Sequence, residues 1–190
     1  MSEIDLSLML KLTKRDVESE YWRNFVIEHA KQENWFAIYL LSECVSREVS
    51  ILVDNNGNYW VDWGTIGSVN LSPPIGAVLP FKLWVHTHPS NTAYWSVTDR
   101  NSLELVKGIL EEGLVLGMNG ILSTKLESIC PQTDVKDVKN LRWSENEVIS
   151  WFDFYEIDFR EYYRVYKTKG DIIFDEISLD KVEFRPSGYI

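Results

Sequence analysis

Two of the chain's three histidines, His86 and His88, stand two residues apart, and Asp99 follows after ten intervening residues with Ser96 among them. On a β-strand, residues i and i+2 point to the same face. The local sequence Leu83-Trp84-Val85-His86-Thr87-His88 would therefore place both imidazoles on one face and Leu83 and Val85 on the other. Pro89 cannot donate a ladder hydrogen bond and should end the strand. Ser96-Val97-Thr98-Asp99 reads as a helix start, and the intervening loop is long enough to bring the Asp99 carboxylate back to the imidazoles. Two histidines and one aspartate are three protein ligands. For zinc they leave a fourth tetrahedral position for water, the arrangement of a catalytic site, and the metal brings the pKa of that water towards neutrality. The positive end of the helix dipole favours the ionised aspartate that a ligand requires. Hydrolysis further needs a base for the water and a donor for the developing oxyanion, and Ser96 is placed to be that donor. Plainer roles fit the same residues one by one. Ser96 and Asp99 also form the S-x-x-D pattern of a capping box, and each histidine could be a packed or surface side chain. Capping and catalysis are compatible at one helix start.

The elements that must position these residues follow from hydrophobic periodicity. Thr13 to Asp16 reads as a capping box opening a helix that ends near Gln32, with Val17, Tyr21, Trp22, Phe25, Val26 and Ala30 on its apolar face. Trp35 to Leu41 is a nearly continuous apolar run of strand length, and buried strands read this way. A second strand is expected at Val49 to Val53, a turn at Asn55 to Asn58, and a returning strand from Tyr59 to Thr65. Gly64 to Pro80 reads as a long surface loop and Phe81 to His88 as the next strand. Leu103, Val106, Leu110 and Leu114 mark a second helix ended by Gly113. Asn119 to Thr124 is a short strand, Ser123 to Trp143 an irregular stretch, and Trp151 to Tyr166 a strand pairing back with Asp171 to Ile177. The expected fold is α/β, a mixed central β-sheet flanked by helices, in a single domain over residues 1–190 with its core at about 14–178. Tyr94 and Trp95, in the loop between the ligands, either line a substrate groove or pack.

Composition narrows the partners. With 19 Lys and Arg against 29 Asp and Glu over 190 residues, the formal net charge is −10. An acidic chain lacks the clustered cations that nucleic-acid binding requires. No run of 18 apolar residues is present, so no membrane-spanning helix is expected, and Leu6 to Leu10 lacks the basic flank of a signal peptide. Cys44 and Cys130 form no C-x-x-C pair and read as free thiols in a reducing cytoplasm. Eight Trp, nine Tyr and eight Phe are too many aromatics for a disordered chain. The sequence leaves the oligomeric state open.

His86-Thr87-His88-Pro89, six residues, Ser96, two residues and Asp99 match the motif H-S/T-H-P-x(6)-S-x(2)-D without a gap. The chain thus resembles the JAB/MPN (JAMM, MPN+) zinc metalloproteases, a family that includes isopeptidases removing ubiquitin and ubiquitin-like proteins. The resemblance implies a cytidine-deaminase-like α-β-α fold, one Zn²⁺ per chain held by His86, His88 and Asp99, and Ser96 hydrogen-bonding the tetrahedral intermediate. It implies hydrolysis of a peptide or isopeptide bond, with a ubiquitin-like protein or its conjugates as partner. It also implies a general base, a Glu just before or at the start of the first core strand. With that strand at Trp35, the base is Glu33, and Glu43 and Glu28 are the other candidates. Competing readings are a non-catalytic MPN-type scaffold, whose members usually lack the His-His-Asp set, and other two-His-one-carboxylate enzymes. In the latter the order of ligands or the chain length does not fit.

Overall fold

The computed structural model describes residues 17–65, 71, 73–129 and 138–155. The chain forms helices α1 (Glu20–Lys31) and α2 (Trp35–Val45), and strands β1 (Val49–Val53), β2 (Tyr59–Trp63) and β3 (Phe81–Thr87). Helix α3 (Val97–Leu105), strands β4 (Leu110–Gly117), β5 (Gly120–Ser128) and β6 (Leu141–Trp143), and a short helix α4 (Trp151–Tyr155) follow. The strands make one six-stranded sheet in the order β2-β1-β3-β4-β5-β6. It is mixed, because β3 and β4 run parallel while the other neighbours are antiparallel. The expected mixed sheet with flanking helices is present. The Thr13–Asp16 segment, Cys130 and the expected hairpin from Glu156 onward lie outside the described residues, and the first helix begins only at Glu20, after Ser19, so Val17 precedes it.

Alternation along the strands sorts the core into two layers. On one face Val49, Ile51, Val85, Leu114 and Leu116 pack beneath α1 and α2. On the other, Leu52 and Trp84 pack against Leu103 and Val106 of the α3 segment, joined by Phe81 and Leu110 where β3 and β4 begin. The link from β3 through α3 to β4 is the crossover that parallel neighbours require.

Four stretches depart from the sequence reading. Trp35 to Leu41 is not a strand but most of helix α2. Asn34 caps it, its side-chain oxygen accepting from Ala37 N at 3.3 Å, and Ser46 ends it in the left-handed region at φ 52°. The helix is wedged between α1 and the sheet, so nearly all of its surface is buried, and an all-round apolar helix carries no amphipathic stripe. Leu110 and Leu114 belong to β4. The helix before them stops at Leu105, and Gly108 at φ +93° turns the chain into the strand, so Gly113 ends nothing. Trp151 to Tyr155 is helical, with Ser150 Oγ accepting from Asp153 N at 3.2 Å. The stretch expected to be irregular contains the second half of β5 and all of β6.

Gly117 ends β4 where the loop after His88 crosses it. A Cβ at Gly117 would run into the backbone of Thr92 and Ala93. Gly117→Ala should lower unfolding stability by about 1–3 kcal/mol, the usual cost of overpacking, measured by denaturant titration. Unchanged stability would show that the crossing loop yields freely.

Candidate metal centre

The parallel and antiparallel ladders bring the ligands together. His86 lies near the end of β3, and His88 N–H continues the ladder by donating to Leu116 O at 2.8 Å. The loop then turns at Ser90, which is held at φ 60°, and returns to Ser96 at the head of α3. There the capping box forms in full: Asp99 N donates to Ser96 Oγ at 3.1 Å, and Ser96 N donates to Asp99 Oδ2 at 2.8 Å. The box fixes the carboxylate against both rings. His86 Nε2 and His88 Nε2 are 3.1 Å apart, and they lie 3.3 Å from Asp99 Oδ1 and 3.5 Å from Asp99 Oδ2 respectively.

His86, His88 and Asp99 are all buried and offer ligand atoms grouped as a metal ion would need them. Tetrahedral bonds of about 2.0–2.1 Å imply donor-to-donor edges of about 3.3 Å, close to the separations found. Protonation states agree with this use. Burial pushes the His86 imidazole below its ordinary pKa, against the opposing pull of Asp99. Burial would raise Asp99, but hydrogen bonds from His86 and His88 outweigh it and hold its pKa well below the carboxylate range. A neutral imidazole and an ionised carboxylate are the forms that bind metal.

As histidines serving only packing, these two would be poorly made. His86 Nδ1 and His88 Nδ1 are both buried with no hydrogen-bond partner among the described residues, and such an atom costs about 1–3 kcal/mol. Aromatic contacts orient the rings instead. Trp84 stacks on His86 at 4.5 Å and 19°, Trp95 lies 5.7 Å from His86, and Tyr94 meets His88 edge-on at 4.8 Å. Ser96 is only half-buried, and Tyr94 and Val97 beside it are exposed, so the cluster sits just under the surface. With its Oγ accepting from Asp99 N, Ser96 keeps its hydroxyl proton free to donate outward.

The structure does not bring Glu33 to this cluster. Glu33 lies at the α1–α2 junction, exposed and at φ 54°. Helix α2 runs from there to the site, because its far end touches the ligand strand: Ser42 Oγ bonds Thr87 Oγ1 at 2.5 Å. The 11 residues of α2 put about 15 Å between the two ends. Glu28 is exposed on α1. Glu43 reaches the ligand loop but is engaged there, accepting from Ser90 N at 2.6 Å, Ser90 Oγ at 3.0 Å and Tyr39 Oη at 3.1 Å.

The carboxylate that does stand at the cluster is Glu48. The register pairs Ser50 with His86, so two residues further along Glu48 falls opposite His88 and on the same face. Trp84 Nε1 donating to Ser50 Oγ at 3.0 Å confirms which face that is. Glu48 is buried. Its pKa is pushed up to about 7, chiefly by burial, with the charges of His88 and Asp99 near enough to act on it. Its backbone is fixed by Glu48 N to Thr65 O and Gly64 N to Glu48 O, both 2.9 Å. The sequence signal was present: a Glu immediately before the first core strand, once that strand is placed at Val49 and not at Trp35.

Comparisons with protein-family models, curated proteins and solved structures return no match. The chemistry is therefore read from the geometry: three convergent side chains able to hold a metal ion, a buried carboxylate and a half-buried hydroxyl. No helix among the described residues is long and apolar enough to cross a membrane.

Two measurements test this centre. Calorimetric titration of chelator-treated protein should find one divalent ion bound per chain, and His86→Ala, His88→Ala or Asp99→Ala should each weaken that binding at least 100-fold. Equal affinity in all three variants would remove the cluster as a metal site. The second concerns Glu48, whose folded pKa of about 7 lies above its ordinary 4.5. The fold favours the protonated acid, so Glu48's contribution is intact below about pH 4.5 and is lost as pH rises through about 7. In metal-free protein, Glu48→Gln should thus be stabilising relative to wild type at pH 8 by roughly 1–3 kcal/mol, and much less so at pH 5. A pH-independent difference in thermal unfolding would contradict this placement of Glu48.

Proposed function

We propose that this chain is a zinc-dependent hydrolase of the JAB/MPN (JAMM) type, adopting that family's fold and cleaving a peptide or isopeptide bond after the C-terminal tail of a ubiquitin-like protein in the cytoplasm. The observation that carries the reading is Glu48 facing the His86, His88 and Asp99 cluster across the β1–β3 register. The resemblance to the family places a Glu beside the first core strand, and a structure with β1 at Val49 puts one there.

His86, His88 and Asp99 would hold the ion, and three protein ligands suit an open site better than a closed structural one. Zinc bound there would supply Lewis acidity, acidifying water and polarising the scissile carbonyl. The remaining work falls to side chains of the chain itself. Glu48, with a pKa near 7, is tuned to take a proton from the attacking water at neutral pH. It returns that proton to the leaving nitrogen as the C–N bond breaks and the new C–O bond remains. Ser96 donates its hydroxyl proton as a hydrogen bond to the carbonyl oxygen while that oxygen gains charge. Thr87 positions the base: its Oγ1 accepts from Val49 N at 2.9 Å, the residue after Glu48. A scaffold that only binds a partner has no need of two buried imidazoles whose Nε2 atoms converge with a carboxylate.

A panel of ubiquitin-like conjugates and C-terminal fusions, incubated with zinc-loaded protein with and without chelator, tests the reading. Cleavage should occur, stop with chelator and return with added zinc. Glu48→Gln should reduce turnover by a factor of 10³ or more with zinc still bound, Ser96→Ala by about 10²–10³, and Glu33→Gln not at all. No chelator-sensitive cleavage of any member would refute the hydrolase assignment. Full activity in Glu48→Gln would refute the role given to that residue.

A further inference from the structure

A cleft of about 570 Å³ runs along α3 on the side facing β5 and β6, within the size range of ligand sites. It adjoins the metal centre, since Trp95 belongs to both, lining the cleft and lying 5.7 Å from the His86 ring. Leu103 and Leu122 give it apolar surface, and Trp143 forms part of its wall. Both indoles are held in place. Trp143 Nε1 donates to Leu103 O at 3.2 Å, and Trp95 lies over Gly113, where a Cβ would come within 2.9 Å of its ring. The cleft follows α3 from Trp95 to Lys107. Nine helical residues span about 13 Å, the length of about four extended residues. Its far wall includes Arg142 and Trp143 of β6, the last strand of the sheet among the described residues.

The charges at this cleft are not equivalent. Lys107 Nζ is 2.7 Å from Glu104, and Arg142 is 3.5 Å from Glu127, so these largely cancel. Arg100 and Glu145 form no ion pair among the described residues. Arg100 donates only its Nε, to Trp95 O at 3.3 Å, which anchors the guanidinium beside the shared tryptophan. Its two terminal nitrogens have no protein acceptor among the described residues, and such a fork matches a carboxylate in bidentate fashion.

We propose that this cleft receives an extended polypeptide segment of the substrate adjoining the bond to be cut, and that Arg100 pairs with a carboxylate of that segment. The proposal rests on the hydrolase reading. Arg100 selects one acid, and Glu145 disfavours a second beside it. A substrate matched to this surface carries a single Asp or Glu within about four residues of the scissile bond, on the side that enters the cleft.

The test uses zinc-loaded full chain and internally quenched octapeptides in which each position within four residues of the cleaved bond is Glu, Gln or Lys in turn. Glu at one position should raise kcat/KM at least 10-fold over Gln, and Arg100→Glu should abolish that preference or transfer it to Lys at unchanged zinc content. Cleavage indifferent to charge, or a preference that survives Arg100→Glu, would overturn the proposal. A second arm does not depend on turnover. The same peptides, carrying a photo-reactive group, are crosslinked to zinc-loaded Glu48→Gln protein. Labelling should map to the cleft at Trp95 or Trp143 and be competed by the unlabelled Glu peptide better than by its Gln counterpart. Absence of such labelling would overturn the cleft proposal even where cleavage is seen. Cleft labelling without cleavage by the wild type would instead overturn the hydrolase reading and support the cleft as a peptide site.

Discussion

Asp99 remains an anion with only 7 % of its surface exposed, and that constraint shapes everything around it. Desolvating a carboxylate costs several kcal/mol unless donors replace the lost water. Here the donors are the Ser96 backbone N–H, at 2.8 Å, and the two histidine rings. The same capping box that starts α3 thus places the negative charge and restricts where it points. A helix N-terminus adds its dipole to the bargain. The two imidazoles gain little from this for their own sake, because each leaves a buried Nδ1 without a partner among the described residues. Two Nε2 atoms 3.1 Å apart that converge on one buried carboxylate make physical sense as a receptor for a cation.

Holding such a cluster to within tenths of an ångström requires stiff supports, and these come from three directions. Thr87, between the two histidines, turns its side chain to the opposite face and there joins Ser42 of α2 and Val49 N of β1. One buried hydroxyl therefore ties the ligand strand to the helix above it and to the strand that begins beside Glu48. Glu43 of α2 grips Ser90 through both backbone and hydroxyl, fixing the loop as it leaves His88. On the other face, Trp84 and Trp95 close over the His86 ring. Side-chain packing here does the orienting that hydrogen bonds to Nδ1 usually do in metal sites.

The convergence of His86, His88 and Asp99 was legible in the sequence because every part of it is local. His86 and His88 share a face by the two-residue period of a strand, Pro89 ends that strand, and Ser96 and Asp99 define a helix start by side-chain chemistry alone. The hairpin from Val49 to Trp63 was legible for the same reason, with Asn55 to Asn58 supplying the turn. What failed was the assignment of long apolar segments whose environment is not local. Trp35 to Val45 is buried on nearly every side, so neither period of burial appears in it, and length with the Asn34 cap was the better guide. Leu110 and Leu114 are four residues apart, a helical spacing, yet both lie on β4, where they join different core clusters. Gly108, not Gly113, marks the break.

These two kinds of outcome meet at Glu48. The rule that a basic carboxylate stands beside the first core strand is positional, and it is only as good as the strand it is applied to. With the strand at Trp35 the rule selects Glu33, a helix length from the metal ligands. With the strand at Val49 the same rule selects a buried Glu whose register partner, by extension from Ser50 and His86, is a ligand histidine. Burial, with the charge of Asp99 nearby, raises its pKa. The property that suits a residue to proton transfer near neutrality is therefore created by tertiary pairing of β1 with β3. The choice of Glu48 as the proposed base depends on that pairing, whereas the proposed ligands can be read from fourteen consecutive residues.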